Sequence, residues 1–169
     1  VTERARAKEI LFEYNNLHPS EMKKRTEILK RFLGATGKQL LVEQPFRCDY
    51  GYNIRVGENF YANMGCTILD EALVTFGDNV LLAPNVSIYT AGHAVNVAQR
   101  IVGWEYAYPV TVGHNVWIGG NVVILPGVSI GDNSIIGGGS VVTKDIPANV
   151  IAVGNPCKVI RELTEDELK

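Results

Sequence analysis

Long apolar runs are missing from this sequence of 169 residues. None approaches the roughly 18 residues that a membrane-spanning helix needs, so no membrane partner is expected. The opening stretch, Thr2 to Arg6, is polar and has no apolar core behind it, which argues against a secretory leader. Position 1 is Val rather than Met, which fits loss of some N-terminal sequence. Cysteine is scarce: Cys48, Cys66 and Cys157 form no CxxC pair and are odd in number. That excludes a disulfide framework and fits reduced thiols in the cytoplasm. Neither sign of charge dominates, with 16 Lys and Arg against 18 Asp and Glu, so electrostatics make no case for nucleic acid or an anionic membrane. What is present is ordinary for a globular chain, 46% hydrophobic and 20% charged. The length fits one domain with a small appendage.

Two periods divide the chain. Up to about residue 37 it is helical: Ala7, Ile10, Leu11, Tyr14 and Leu17 fall at i, i+3, i+4, i+7 and i+10, one apolar stripe. His18-Pro19 interrupts this stripe, because proline lacks the amide proton and restricts the residue before it. Pro19 and Ser20 suit the start of a second helix whose inner face is Met22, Leu29, Phe32 and Leu33, ended by Gly34 and Gly37. Lys23, Lys24, Arg25, Lys30 and Arg31 read as its solvated face.

From about Val56 the period is six. Val112, Ile118, Ile124, Ile130, Ile136 and Val142 recur at that interval, as do Val56, Ala62, Ile68 and Val74. A two-residue slip then restarts the series at Phe76, Leu82 and Ile88. A small residue usually follows each anchor, as at Gly57, Gly77, Ala83, Gly113, Gly119, Gly131 and Gly137. The third place after it holds Asn59, Gly65, Asn79, Asn85, Asn115, Asn121, Gly127, Asn133, Gly139 and Asp145. These residue types tolerate a left-handed backbone at least cost. A short flat strand with such a corner makes one side of a prism; three sides close a coil, and stacked coils line the axis with the anchors.

The period fails between Ile88 and about Val110, over an extended loop at about 89–109 that contains His93, Arg100, Trp104, Glu105, Tyr106 and Tyr108. Ordering such an excursion costs conformational entropy and gives a solenoid nothing, whereas long loops on regular scaffolds commonly carry binding or chemistry. Of the three histidines, His18 sits at the helix break and His114 in a repeat corner, both structural places. His93, at the edge of the repeat, is the functional candidate.

The repeat resembles the hexapeptide-repeat acyltransferases, and further stretches resemble their galactoside and maltose O-acetyltransferase branch. These are Asn16 to Glu21, Cys48 to Ile54, Phe60 to Asn63, Asn115 to Gly120, Val142 to Pro147 and Gly154 to Ile160. The resemblance implies a mainly β fold, a left-handed parallel β-helix over 38–169 preceded by a short α-helical segment over 1–37. The left hand comes from the family, since general rules for parallel connections favour the right. It implies an acetyl-CoA-dependent transfer of acetyl to a hydroxyl of a sugar such as maltose, glucose or a galactoside. His93 would take the hydroxyl proton, as an imidazole can near neutral pH. The Gly120 amide would face the oxyanion, although a plain corner glycine fits that position equally well. Asn63 would lie near both acceptor and histidine, with Asp49, Asp70 and Glu71 on the acceptor side. Trp117, Gly138, Thr143, Lys144, Lys158 and Arg161 match cofactor-side positions, and Trp117 also fits simple packing on a coil face. Lysine at 158 keeps the charge of the family's arginine but loses its bidentate fork. The resemblance further implies a homotrimer with active sites between subunits, coenzyme A and a small-molecule sugar as partners, and no metal.

Other readings share the repeat. A zinc enzyme of the γ-carbonic anhydrase type needs three converging histidines, and the repeat region supplies only His93 and His114. A non-catalytic scaffold has no use for His93, the aromatic loop and Thr143-Lys144 together. Antibiotic and serine acetyltransferases lack the resemblance to the helical preface.

Overall fold

The helical period produces two helices, α1 (Thr2–Asn16) and α2 (Met22–Phe32). The computed structural model describes residues 2–169; Val1, the first residue of the expected helical segment, lies outside them. Ala7, Leu11 and Tyr14 are buried as the stripe requires. On α2 Leu29, Phe32 and the following Leu33 are buried as expected, joined by Ile28 and Arg25. Met22 and Arg25 exchange their expected places, Met22 being 47% exposed and Arg25 only 5%. The reason is a polar partner: Arg25 donates to the Val42 carbonyl at 2.8 Å and pairs with Glu43 at 3.1 Å, its guanidinium 5.8 Å from the Tyr14 ring centre. Tyr14 donates to the same carbonyl at 2.6 Å. The helices thus cover the open end of the first coil, the capping that any solenoid needs. Ser20 does not cap α2, since its hydroxyl is 2.8 Å from His18 Nδ1 and the helix starts at Met22.

Gly34 leads into the coils. Its amide bonds to the Ile54 carbonyl at 2.9 Å, and a Cβ there would lie 2.1 Å from the Tyr52 carbonyl oxygen. Only glycine permits that approach.

The six-residue period becomes three parallel sheets around one axis. The first side stacks Leu40–Val42, Phe60–Ala62, Leu81–Leu82, Trp117–Ile118, Ile135–Ile136 and Val150–Val153. The second stacks Arg47–Cys48, Thr67–Leu69, Ser87–Tyr89, Val123–Ile124 and Val141–Val142. The third stacks Ile54–Val56, Val74–Phe76, Val110–Val112 and Ser129–Ile130. Every anchor points inward and is buried, from Val56 to Val142. Each fully buried aliphatic side chain contributes about 1.5–3 kcal/mol. An antiparallel strand, Lys158–Glu162, closes the far edge of the first side.

The slip lies earlier than the period suggests. Val56 pairs with Phe76 and Ile54 with Val74, so the two extra residues fall between Ile68 and Phe76 and not after Val74. Both Val74 and Phe76 are buried, and this disguised the shift.

At the edge from third side to first, Asn59, Asn79, Asn115 and Asn133 have φ from 54° to 61°. Their side-chain amides form a ladder running Asn59 to Asn79 to Asn115 to Asn133 to Asn149, with steps of 2.7–2.9 Å. Asp145 is not left-handed, contrary to expectation; Asn149 is, at 62°. The turn there is short, with Ile146 already bridging Ile130, and Asp145 instead accepts the Ser129 amide at 2.8 Å.

Candidate active site

The long departures from the period after the first turn of chain all fall at one edge, between the second and third sides: 49–53, 70–73 and 90–109. They stack on one another through buried oxygens. Asp70 is fully buried, and its carboxylate accepts the amides of Asp49, Tyr50 and Gly51 at 3.0, 2.9 and 2.7 Å. Thr90, also fully buried, donates to the Leu69 carbonyl at 2.7 Å and accepts the Ala72 amide at 2.9 Å. Asp70 was expected on the acceptor side. In the structure its oxygens brace the corner that presents Asp49. Burial pushes its carboxyl upward, against the three amide bonds that pull it down.

Asp49 and Glu71 converge on Arg4 of α1. Arg4 Nη2 lies 2.5 Å from Glu71 Oε1 and its Nε 3.6 Å from Asp49 Oδ1, with the guanidinium 5.3 Å from the Tyr50 ring centre. Burial, then the neighbouring Asp49, pushes the Glu71 carboxyl up to about 7 despite the opposing arginine. Glu71 Oε2 is buried with no hydrogen-bond partner among the described residues. A buried acceptor without a donor costs about 1–3 kcal/mol, which a ligand hydroxyl would recover. Arg4 was not among the expected site residues. The available signal was its place on the α1 stripe, three residues before Ala7.

The longest departure is an ordered arm. Ala91–His93 and Glu105–Ala107 form an antiparallel ribbon with His93 opposite Glu105, and α3 (Val97–Ile101) forms its tip. The tip is fixed by Asn96, whose side chain accepts the Gln99 amide at 3.1 Å, and by Arg100 Nη1, 3.0 Å from the carbonyls of Ala94 and Val95. His93 lies out on this arm, its side chain 60% exposed, with Nε2 3.7 Å from Glu105 Oε1. Val95, Ile101, Val102 and Trp104 on the arm are all exposed.

Asn63, Gly120 and Gly138 lie elsewhere, on the edge between first and second sides. On that edge the Met64 amide is capped by Asn63, as at the ladder edge Glu58 is by Asp78 and His114 by Asp132. The amides of Gly120 and Gly138 donate to no other described residue, although the Gly120 carbonyl accepts from Gly139 at 2.8 Å. Trp117, 51% exposed, stands beside them on the first side. Lys158 and Arg161 lie on the closing strand of that side, and Arg161 is held by Glu167 through two contacts of 2.7 Å. That guanidinium pulls the Glu167 carboxyl down to about 2. Thr143 and Lys144 are exposed on the His93 edge, further along the axis. One subunit therefore brings Arg4, Asp49 and Glu71 together beneath the arm that carries His93, and sets Asn63, Gly120 and Gly138 across the width of the second side.

The remaining polar groups read as structure. His114 Nδ1 accepts the Asp78 amide at 3.0 Å in its corner. Cys48 and Cys66 are buried free thiols; burial pushes both up, Cys66 to about 11. No group of three or more His, Cys, Asp or Glu able to hold a metal ion occurs among the described residues, and no described helix is long and apolar enough to cross a membrane.

Comparison with known proteins matches this architecture at both ends. Residues 109–144 match the family described as bacterial transferase hexapeptide (six repeats), and residues 1–37 the maltose acetyltransferase hexapeptide capping motif. The galactoside O-acetyltransferase of Escherichia coli K12 is 52% identical over 162 residues, 96% of this chain and 80% of that protein. The chain belongs to the hexapeptide-repeat acetyltransferases, in their galactoside and maltose branch. It is an acyltransferase built as a β-helix. A maltose O-acetyltransferase from Clostridium difficile 630 superposes with a TM-score of 0.96 at 55% identity, covering 97% of this chain and 88% of that one. A galactoside acetyltransferase in complex with coenzyme A does so with a TM-score of 0.96 at 51% identity, covering 99% and 84%. The expectation drawn from the sequence about family and fold is borne out.

Proposed function

We propose that this acetyltransferase moves the acetyl group of acetyl-CoA to a hydroxyl of a sugar such as maltose, glucose or a galactoside, at a site shared by two subunits of a trimer. The observation that carries the reading is the division of the site residues between two edges of the prism. His93 and the carboxylates stand on one edge, the free amides of Gly120 and Gly138 on another. A cyclic trimer apposes unlike edges of neighbouring subunits and so brings the two sets together. The exposed apolar residues of the arm suit a surface that meets a neighbour.

Acetyl-CoA supplies an already activated thioester. The residues around its site suit it: Gly120 and Gly138 leave their amides open, Trp117 offers an exposed ring, and Lys144 and Lys158 are exposed cations without an acidic partner among the described residues. Arg161 would reach a phosphate only by exchanging Glu167 for it. On the acceptor side, Arg4, Asp49 and the free oxygen of Glu71 form a polar set suited to several sugar hydroxyls. Asn63 reaches the acceptor from the opposite edge.

His93 then accepts the proton of the attacking hydroxyl as that oxygen bonds to the acyl carbon. The Gly120 amide donates to the carbonyl oxygen as it gains charge, the role of an oxyanion hole. His93 returns the proton to the departing thiolate, leaving an O-acetyl sugar and coenzyme A.

The test is acetyl-CoA consumption measured against glucose, maltose, β-galactosides, serine and chloramphenicol, with the wild type and His93→Ala side by side. A sugar should be the best acceptor, and the variant should lose about 10²–10⁴-fold in kcat. Preference for serine or chloramphenicol, or normal turnover in the variant, would refute the reading.

A further inference from the structure

Nothing in the repeat explains what holds His93 on so open an arm. We propose that Glu105 is the positioning residue for His93, fixing the imidazole through one ring nitrogen and leaving the other free for the acceptor hydroxyl; this rests on the reading of His93 given above.

The ribbon dictates the pairing. His93 and Glu105 are directly opposite in antiparallel register, a relation that keeps two side chains on one face within reach of each other. Register is locked next door by Tyr106 opposite Gly92: a Cβ on residue 92 would fall 2.5 Å from the Tyr106 hydroxyl and 2.6 Å from the ring, so the tyrosine occupies the glycine's vacancy. A slip by one residue would send Glu105 to the other face. Further bonds pin both ends of the ribbon, Ala94 amide to Trp104 carbonyl at 3.2 Å and Tyr108 amide to Thr90 carbonyl at 2.8 Å. The lower end is thereby tied to the same Thr90 that braces the acceptor corner.

At 3.7 Å the Nε2 to Oε1 contact is longer than a hydrogen bond, and catalytic contacts of this kind tighten when substrates are bound. A carboxylate there does two things. It selects the tautomer with its proton on the facing nitrogen, so the other lone pair is the base. It also stabilises the imidazolium formed when the hydroxyl proton is taken. Among the described residues Glu105 makes no other ion pair, so its charge is not spent elsewhere.

The experiment compares Glu105→Gln, Glu105→Asp and His93→Ala, with Glu105→Gln also made in the His93→Ala background. Glu105 is half exposed, so thermal unfolding should show all four folded alike. Glu105→Gln should lower kcat about tenfold with KM for acetyl-CoA and for the acceptor within about twofold. Glu105→Asp should restore part of the loss, and Glu105→Gln should have no further effect once His93 is gone, as for two residues acting as one unit. A normal kcat in Glu105→Gln while His93→Ala is impaired would overturn this proposal and leave the base intact. So would a pure KM effect, or the same fold-loss with and without His93. Normal turnover in His93→Ala would instead overturn the reading of His93 itself.

Discussion

Two edges of the same prism show what a repeat can and cannot carry. The edge from third side to first keeps strict six-residue spacing, and its corners are closed by an asparagine ladder in which each amide serves the next coil. The corner amides of Glu58, Asp78 and His114 are likewise taken up, by Asp78, His114 and Asp132. The edge from second side to third breaks the period in successive coils, and each break adds side chains that the next one orders: Asp49 and Tyr50, then Asp70 and Glu71, then Thr90 and the arm with His93. Regularity supplies stability, and the insertions place the candidate site on the regular base.

The contrast can be broken most severely at Asp70. Asp70→Ala leaves three buried or half-buried amides without their acceptor, and should cost about 3 kcal/mol or more in urea unfolding, with activity lost as the Asp49 corner loosens. The matching change on the quiet edge is Asn115→Ala, which puts an unsuited residue at φ 57° and removes two ladder bonds. It should destabilise by about 1–2 kcal/mol, and Asn115→Gly by less, with kcat unchanged in both. An activity loss in Asn115→Ala comparable to that in Asp70→Ala would erase the distinction.

A third change sharpens it through pH. Glu71 is held protonated up to about 7, above the ordinary carboxylate value of 4.5. In that window the folded state binds a proton that the unfolded state has released. Stability contributed by this group is therefore complete below about pH 4.5 and is lost as pH rises through about 7. Glu71→Gln removes the titration, so its Tm should gain on the wild type between about pH 5 and 8. A constant Tm difference across that range would show that the carboxyl is not so perturbed.

Much of this was legible in the sequence. The period, the left-handed corners and the arm could be read because each repeat must solve the same geometry with the same few residue types. The location of the slip could not, since Val74 and Phe76 are both apolar and both buried on one strand. Arg4 and Arg25 were missed for one reason: a charged residue on an apolar stripe reads as an error of phase, until a carboxylate or carbonyl is found facing it. The bracing role of Asp70 was not legible, because spacing does not reveal that a carboxylate accepts backbone amides. Glu105 became a partner of His93 only through ribbon register. How neighbouring edges meet is invisible to any period within one chain.

The most direct test of the account mixes subunits. His93→Ala and Asn63→Ala chains, each expected to be nearly inactive alone, are co-expressed with different tags and the mixed trimers isolated. If His93 of one subunit works with Asn63 of the next, each mixed trimer contains one intact site and should recover about one-third of wild-type activity. No recovery in mixed trimers would place both residues in a single-subunit site and contradict the account.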